Sequence, residues 1–539
     1  MSKIFEQLLK KRGFSSDFLS PSYEKLADPF ILPDMEKAIA RLKTALKDHE
    51  KVLIYGDYDV DGVTASALME EALKLAGFDP ENLQIMLPDR FADGYGMSPR
   101  LIKRAEKEGI SLVITVDCGS RNHSIIDELN LLKIDSIITD HHETDEVMPN
   151  SVALINPKRK DAPVKELENL AGVGVAFKVA EALVKAGLIP KNQEKWLLDL
   201  VLLGTICDSM SLVGENRIFG FYGLKVLEKT RRAGLKELMK NAHVKELNSE
   251  SIGFQIGPRL NAAGRLETAD LALDLLRSRS PARAAALAKK LEELNKKRKT
   301  EQLSALKSIS DRGVKDDPVI IEAGKWHEGI LGIVAGRLVE TYKKPSFVLS
   351  EVESGVLKGS GRSFGDFNLA KALDFAKDAI ISGGGHAGAA GVRLFSEKLY
   401  DFREKINAYY ESLSLKNQEK LLNETADLEL DDFSELTLDF LTELKTLEPF
   451  GGGNEEPIFG LKNVRVASAS RIGPEKQHLR LDLLDAKNRP LKLLAFYPPE
   501  TWLSLDYENI KIEPLVRFIE NDFQGVKTLE ARICDIIAL

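Results

Sequence analysis

The sequence predicts an α/β protein in which a parallel sheet is followed by a long helix, a second α/β unit and a region of short antiparallel strands. Three observations support this fold class. In the first half, apolar runs of strand length alternate with amphipathic helical stretches, as in parallel sheets with helical crossovers. A helical stretch of about thirty residues then interrupts the pattern. Near the end of the chain, short runs alternate apolar with polar residues, as half-buried strands do.

Three apolar runs in the first half end in acidic or imidazole side chains. They are KVLIYGDYD (Lys51–Asp59), SLVITVDCG (Ser111–Gly119) and IDSIITDHH (Ile134–His142). Helical stretches separate them, so we expect parallel strands. A longer apolar stretch, WLLDLVLLGTICDSM (Trp196–Met210), predicts a buried helix that ends near Asp208.

The second half begins with a helical stretch from Ser280 to Arg312, with Pro near its start and many strong helix formers. Such a helix would span roughly 45 Å at 1.5 Å per residue, which suits a connector between domains, although an ordinary packed helix fits the pattern equally well. Strands are predicted at PVIIEAG and PSFVLS, before a glycine-rich stretch at Ile381–Phe395. The runs VRVASASRI, LRLDLLD, LKLLAFY and KTLEARICDIIA predict a small β-barrel.

Length and composition limit the possible classes of protein. A chain of 539 residues is too long for one ordinary core, so we expect two to four domains. We expect a cytoplasmic protein without a membrane segment, because no apolar run could span a bilayer and three cysteines cannot form a disulfide framework. The net charge of −8 neither indicates nor excludes nucleic-acid binding, since a basic channel can lie on an acidic protein.

Candidate metal ligands follow several of the predicted elements. In an open parallel sheet, ligands gather at the carboxyl ends of the strands, so these side chains should meet at one edge. The candidates are Asp57, Asp59, Asp61, Asp117, Asp140, His141 and Asp208. Taken alone, the Asp-His-His triplet is also an ordinary polar loop cap. Oxygen-rich ligation with imidazole favours Mn²⁺ or Mg²⁺.

A pair of such ions roughly 4 Å apart is the recurrent device for phosphoester hydrolysis. The sequence therefore predicts a two-metal centre. Its predicted catalytic residues are Asp59, Asp61, Asp117, His141 and His142.

The order of the motifs GDYDVDG, PDRFADGYG, VDCG, TDHH and GTICDSM resembles the DHH phosphoesterase superfamily and, within it, the RecJ exonucleases. In the second half, WHEGILGIVAGRL, LKGSGRS and GGGHAGAAG are similar to that family's DHHA1 domain. IGPRLNAAGRL is also RecJ-like, and EPFGGGNEEPIF resembles the entry to the family's OB-type domain. One departure is ICDSM, where the resemblance leads us to expect a more apolar residue after Asp208.

The resemblance implies an N-terminal helical segment, a DHH catalytic domain, a connector helix, an α/β DHHA1 domain and an OB-type β-barrel that binds nucleic acid. The corresponding ranges are 1–48, 49–279, 280–313, 314–423 and 424–539. It implies a monomeric enzyme that degrades single-stranded DNA 5′→3′ to mononucleotides in DNA repair and recombination. A single-strand-binding protein and a RecQ-type helicase are the implied partners.

Cationic groups and small residues near the metal centre are candidates for binding the substrate. Arginine can grip phosphate through two hydrogen bonds, and glycine amides can meet phosphate oxygens. The candidates are Arg90, Arg259, Asn261, Arg265, His327, Ser360, Arg362, Ser363 and His386. Ordinary surface arginines and a structural histidine are the alternatives.

Two further groups of residues leave their roles open. The basic run KKRK (Lys296–Lys299) is either a solvated helix face or the edge of a channel. In the predicted barrel, Phe450, Phe459 and Phe496 could stack on bases, although each equally suits core packing.

Two other functions remain possible from the sequence. The first is a DHH-family phosphodiesterase that acts on short oligonucleotides or dinucleotides, whose active site would look nearly the same. The long connector, GPRLNAAGR and the C-terminal region argue against it. The second is a non-catalytic nucleic-acid-binding relative, which the intact ligand set disfavours.

Overall fold

The computed structural model describes residues 1–94, 96–413, 425–507 and 509–538 and confirms the α/β fold class. The helices are α1 (Lys3–Arg12), α2 (Ser16–Leu19), α3 (Met35–Lys47), α4 (Val60–Leu75), α5 (Pro99–Glu108), α6 (His123–Leu131), α7 (Gly172–Lys185), α8 (Leu198–Cys207), α9 (Gly214–Glu228), α10 (Ala233–Asn241), α11 (Ser249–Ser251), α12 (Gly257–Leu266), α13 (Asp270–Arg277), α14 (Pro281–Arg312), α15 (Leu331–Tyr342), α16 (Leu369–Phe375), α17 (Leu399–Ser412), α18 (Leu438–Lys445) and α19 (Glu500–Leu503). The strands are β1 (Val52–Tyr55), β2 (Leu83–Met86), β3 (Leu112–Val116), β4 (Asp135–Thr139), β5 (Ala153–Ile155), β6 (Ile320–Gly324), β7 (Ser346–Glu353), β8 (Val356–Arg362), β9 (Ser382–Gly385), β10 (Ala389–Phe395), β11 (Leu428–Leu430), β12 (Phe459–Leu461), β13 (Arg465–Ile472), β14 (His478–Leu484), β15 (Pro490–Phe496), β16 (Ile512–Phe523) and β17 (Val526–Ala538).

The first sheet is parallel throughout, with strand order β2-β1-β3-β4-β5. Its central strands β1 and β3 are buried at every position, which explains why their sequences are apolar without alternation. The helix α8 ends at Cys207 with Asp208 as its C-cap residue, as the apolar stretch predicts. This sheet and its helices form the first unit, and the carboxyl ends of β1, β3 and β4 lie side by side.

The predicted connector is the 32-residue helix α14. Its first half packs on the first unit through Ala288 and Leu291, whereas Ala305 and Ile309 pack into a different core with α15. The helix is therefore both a connector and a packed element. The second unit carries the sheet β6-β7-β8-β10-β9, in which the glycine-rich stretch forms the hairpin of β9 and β10.

The C-terminal unit is built on a seven-stranded sheet of order β11-β12-β16-β17-β15-β14-β13. The strands predicted there are present as β13, β14, β15 and β17. Strand β16 was not predicted, and its sequence contains Pro514, a residue that rarely occurs within strands. The predicted domain boundary at residues 423 and 424 lies outside the described residues. No helix in the described part of the chain is long and apolar enough to cross a lipid bilayer.

Helix α1 packs into the core of the C-terminal unit although it lies at the other end of the sequence. Ile4, Phe5 and Leu8 are buried in that core. The guanidinium of Arg12 pairs with Asp427 at 2.8 Å through two of its nitrogen atoms. The first and last described segments thus complete one hydrophobic core.

Arg217 on α9 docks the C-terminal unit against the first unit. Its guanidinium is buried and donates hydrogen bonds to the carbonyl oxygens of Thr446, Leu447 and Glu448 at 2.6–3.0 Å, and to that of Phe18. Burial lowers the pKa of Arg217 to about 10, because the guanidinium loses water and the partners in the described part of the chain are neutral carbonyl oxygens. One side chain therefore satisfies several backbone acceptors at this interface.

We expect Arg217→Ala to lower the free energy of opening of this interface by about 3 kcal/mol, because buried carbonyl oxygens lose their donor. Hydrogen exchange of the amides in β12 and β16 would measure the loss. Arg337→Ala is the control, since Arg337 forms an exposed ion pair with Glu340 on α15 and should change stability by less than about 0.5 kcal/mol. Equal protection in the two variants would contradict this role of Arg217.

Candidate metal centre

The segment GDYDVDG forms a sharp turn from β1 into α4. Asp59 is the N-cap residue of α4, and its side chain accepts a hydrogen bond from the Gly62 amide at 3.1 Å. A Cβ atom at position 62 would lie 2.5 Å from the backbone nitrogen of Asp57, so only glycine allows so tight a turn. The turn brings Asp57, Asp59 and Asp61 to one end of the sheet.

Asp61 is held by the N-terminus of α7. Its two carboxylate oxygens accept hydrogen bonds from the amides of Gly172 at 2.6 Å and Val173 at 2.9 Å. Amides at a helix N-terminus have no partner within the helix and favour negative charge. The same helix thus fixes the carboxylate of Asp61 and stabilises its charge.

Asp117 follows β3 in a left-handed backbone conformation, with φ of 61°. A non-glycine residue with positive φ is uncommon, and such strain concentrates at functional sites. A Cβ atom on Gly172 would lie 2.5 Å from Asp117 Oδ1, so α7 and this carboxylate are in direct contact. Glycine at position 172 is required for this approach.

Asp140 differs from the other predicted ligands because hydrogen bonds occupy both of its oxygens. Oδ2 accepts from the Ser120 amide at 2.9 Å, and Oδ1 contacts the amides of His141 and His142 and lies 2.8 Å from His142 Nδ1. Asp140 is not among the described residues whose ligand atoms converge. Its geometry is that of a residue that orients the two histidines.

His141 lies at the centre of the cluster. Its Nε2 is 3.1 Å from Asp117 Oδ1, 3.6 Å from Asp208 Oδ2 and 3.9 Å from Asp61 Oδ2. Three groups of converging ligand atoms result. They are Asp117 with His141 and His142, Asp61 with His141 and Asp208, and Asp57 with Asp59 and Asp117. Because the groups share Asp117 and His141, they suit adjacent cations.

Burial and mutual repulsion dominate the electrostatics of the cluster. Burial, with the charge of Asp59, raises the pKa of Asp57 to about 8 and that of Asp208 to about 7. The pKa values of Asp61 and Asp117 lie well above the ordinary range, first through burial and then through neighbouring aspartates. Burial lowers the pKa of His141 to about 3, so this imidazole is neutral, as a metal ligand must be.

The pKa of His142 shifts in the opposite direction. Burial alone would lower it, but the hydrogen bond and charge of Asp140 outweigh burial and raise it. Asp140 in turn has a lowered pKa, because His142 outweighs the effect of its own burial. Each member of this pair therefore stabilises the charged form of the other beside the ligand cluster.

The residues present fit divalent cations. Asp57 Oδ1 and Asp117 Oδ1 are buried and accept no hydrogen bond, which is costly for carboxylate oxygens unless a cation meets them. The donors are carboxylate oxygens and imidazole nitrogens, which suit Mn²⁺ and, where oxygens dominate, Mg²⁺.

Arginines from different elements lie near this cluster: Arg90 and Arg265 are coupled electrostatically to its aspartates, and Arg362 of β8 is coupled to both arginines. The guanidinium of Arg90 lies 5.0 Å from the ring centroid of Tyr58, and Tyr58 is the residue between Asp57 and Asp59. Arg265 at the end of α12 donates to the Gly329 carbonyl at 3.3 Å, which joins the first unit to the second. Burial, together with the charges of Arg90, Arg298 and Arg362, lowers the pKa of Arg265 to about 9. Cations so close together favour an anion between them.

Other predicted substrate-binding residues have structural partners. Arg259 is buried and pairs with Glu292 of α14 at 2.6 Å, so its guanidinium holds the connector helix and does not join Arg265. The Ser363 hydroxyl donates to the Phe367 carbonyl. The Nδ1 atoms of His327 and His386 accept hydrogen bonds from the Gly329 and Gly388 amides.

Ser360 and Asn261 lie nearer to the arginines. The Ser360 hydroxyl is 3.5 Å from Arg362 Nη1, and Asn261 is half-buried on α12, one turn before Arg265. The exposed ring of His327 packs edge-on against Phe91 at 5.4 Å, across the two units.

Sequence reasoning missed Asn156. Its buried carboxamide donates to the Ser120 hydroxyl at 2.9 Å and to the His142 carbonyl at 2.8 Å, which fixes the loop that carries both histidines. Asn156 directly follows β5 in LINPK. A polar residue after a strand is the same signal that indicated Asp117, and the shortness of β5 concealed it.

Comparison with known proteins agrees with this architecture. Family models match as the DHH family N-terminal domain over residues 51–205, the DHHA1 domain over 316–412 and the RecJ OB domain over 426–535. The single-stranded-DNA-specific exonuclease RecJ of Bacillus subtilis is 36% identical over 90% of this chain, which spans 62% of that protein's length. RecJ of Dickeya dadantii is 31% identical, over 98% of this chain and 95% of its own length.

Solved structures show the same similarity. RecJ from Thermus thermophilus in complex with Mn²⁺ superposes with a TM-score of 0.82 and 28% identity, covering 99% of this chain and 75% of the other. Its complex with Mg²⁺ gives a TM-score of 0.77 and 26% identity, covering 99% and 74%. The chain has an aspartate and histidine cluster at the carboxyl end of a parallel sheet, and its relatives match it over nearly its full length. It therefore belongs to the RecJ family.

Proposed function

We propose that this chain is a metal-dependent exonuclease that hydrolyses single-stranded DNA from the 5′ end to mononucleotides, in DNA repair and recombination. The observation that carries this proposal is that two sets of residues, the metal ligands and a group of arginines, lie close together. The ligand cluster of the first unit faces arginines that come from both units. A phosphodiester needs both sets, because its charge must be neutralised while one bond to phosphorus breaks.

Two cations, Mn²⁺ or Mg²⁺, would be held by Asp57, Asp59, Asp61, Asp117, His141 and Asp208. When bound, they supply the Lewis acidity that activates water and stabilises the attacking and leaving oxygens. Asp61 keeps its direction through the amides of α7. Asp140 orients His142 through the hydrogen bond between its carboxylate and His142 Nδ1.

The arginines would set the position of the strand. Arg90, Arg265 and Arg362 together can offer parallel N–H donors to a phosphate, and a terminal phosphate carries more charge than an internal diester. Their close approach to one another is costly without an anion, and a bound phosphate would remove that cost. Ser360 adds a hydroxyl beside Arg362.

Four further parts of this proposal rest on the family resemblance. They are the direction of digestion, the cytoplasmic location, the monomeric state and the predicted domain ranges. The same holds for a single-strand-binding protein and a RecQ-type helicase as partners. Single-stranded DNA as substrate is further supported by the names of the relatives and by the OB-type unit.

Metal affinity should rise with pH, because Asp57 and Asp208 must lose protons to act as ligands. Calorimetric titration with Mn²⁺ should give tighter binding at pH 8.5 than at about pH 6, with proton release at the lower pH. Asp117→Asn should bind Mn²⁺ weakly at both pH values and hydrolyse no DNA. Equal affinity of the wild type at the two pH values would contradict the assigned ligands.

Gly172→Ala should lower Mn²⁺ affinity and hydrolysis at least tenfold, because the added methyl group would displace the carboxylate of Asp117. Gly174→Ala is the matched control on the same turn of α7, since its added carbon would meet Leu170 at 3.4 Å, an ordinary contact. Similar metal affinity in both variants, measured by the same titration, would show that α7 does not position the ligands.

Arg90→Ala, Arg265→Ala or Arg362→Ala should reduce the preference for 5′-phosphate over 5′-hydroxyl ends. Loss of one charge-assisted contact is worth about 1.5–3 kcal/mol, or roughly ten- to a hundredfold. Matched oligonucleotides with the two ends would measure the preference. Arg283→Ala, at an exposed pair with Asp274, should retain it. If all three arginine variants also keep the preference for 5′-phosphate ends, these arginines do not bind the 5′ end of the strand.

A further inference from the structure

One face of α12 and of the turn before it is accessible to solvent. A π-helical segment (Ile252–Ile256) leads directly into α12. Phe254, Pro258, Asn261 and Arg265 are exposed or half-buried, whereas most of the intervening residues are buried. Spacings of four, three and four residues put these side chains on one side of a helix. We call this row of four residues the α12 track.

The helix that carries the α12 track packs against the metal centre through buried glycines beside the track. Near its start, a Cβ atom on Gly257 would lie 2.5 Å from the sulfur of Cys207, the residue before Asp208. Near its end, a Cβ atom on Gly264 would lie 2.8 Å from the carbonyl oxygen of Tyr58, between Asp57 and Asp59. The helix therefore spans the distance between two parts of the ligand cluster.

Phe254 stands at the far end of the α12 track from Arg265, and it is 77% exposed. Eleven residues at 1.5 Å each separate the two side chains by about 16 Å along the helix axis. That length equals about five stacked nucleotides at 3.4 Å each, or fewer in an extended strand. A strand with its terminal phosphate at Arg265 and its scissile phosphate at the metals would thus reach Phe254 a few nucleotides later.

The turn before Phe254 also approaches the C-terminal unit. The charge of Glu250 acts on Glu456, which pairs with Arg517 and Arg532 on the C-terminal sheet. The turn that carries Phe254 therefore leads from the neighbourhood of the unit that matches the RecJ OB domain into α12. A strand that passes from the metal centre to that unit along this turn would meet the exposed ring of Phe254.

We propose that Phe254 is a positioning residue that stacks on a base of the single strand, a few nucleotides on the 3′ side of the scissile phosphate. This inference rests on the proposed function. Beyond Phe254 and Pro258 the α12 track continues with an amide and ends in a guanidinium, which suits a polyanion with flat bases rather than an apolar partner helix. Stacking is tolerant of sequence, because every base has a π face.

The test is a length series of 5′-phosphorylated oligodeoxythymidylates, from a dinucleotide to a dodecanucleotide, hydrolysed with Mn²⁺ by wild type, Phe254→Ala, Phe254→Leu and Phe254→Trp. Tyr400→Ala is the control, because Tyr400 is an aromatic residue with 69% exposure on α17. Thermal denaturation would verify that the variants are folded. A second series carries one abasic position, moved along the strand.

In wild type, KM should fall once the strand is long enough to reach Phe254. Phe254→Ala should lose this fall, with KM for the dodecanucleotide raised roughly five- to a hundredfold and kcat for the dinucleotide unchanged. Phe254→Trp should retain the fall, and Phe254→Leu should recover little of it. One abasic position should raise KM for wild type and have no effect on Phe254→Ala.

Identical KM values for wild type and Phe254→Ala at every length would overturn the stacking role and leave the proposed nuclease function intact. If wild type hydrolyses none of the strands, the proposed function fails instead. In that case the same series, read as binding by fluorescence anisotropy in EDTA, decides the stacking role. If Phe254→Ala binds strands of every length, including the dinucleotide, more weakly than wild type by the same factor, the stacking role is also overturned.

Discussion

Repulsion between buried carboxylates is the constraint on which the rest of this structure depends. Asp57, Asp61 and Asp117 are at most 4% exposed and lie within one cluster. Such groups are unstable together in the ionised state unless cations or hydrogen-bond donors compensate. The chain provides part of the compensation itself, through the amides at the start of α7 and the pairing of Asp140 with His142. The remaining oxygens are left for metal ions.

Strand ends were the most informative signal in the sequence. Apolar runs that stop at Asp57, Asp117 and Asp140 are sufficient to predict a parallel sheet with polar groups at one edge, and the structure has this arrangement. The pattern could not separate a ligand from a residue that orients ligands, because that depends on which oxygens the backbone amides occupy. Asp140 is the example, since its partners include Ser120, twenty positions earlier.

The two arginines of α12 show a second limit. Arg259 and Arg265 both stand in GPRLNAAGR, and sequence reasoning treated them alike. They are six residues apart, however, and six residues correspond to about 600°, so the two side chains point about 120° apart around the helix. Arg259 consequently meets Glu292 of the connector, whereas Arg265 reaches the second unit. The angle between the two side chains around the helix could be calculated from the sequence. Which side of the helix is buried could not, because that depends on how α14 packs against α12.

The position of α1 has a consequence for how the protein is made. This helix leaves the ribosome before the rest of the described chain, yet its apolar side chains Ile4, Phe5 and Leu8 pack in a core built mainly from residues that follow the connector. The hydrogen bonds between Ser2 and Glu443 span 441 positions. Contacts of such separation form late, because the intervening loop must close first. During translation, α1 therefore exposes an uncovered apolar stripe that chaperones can bind until the C-terminal sheet has emerged.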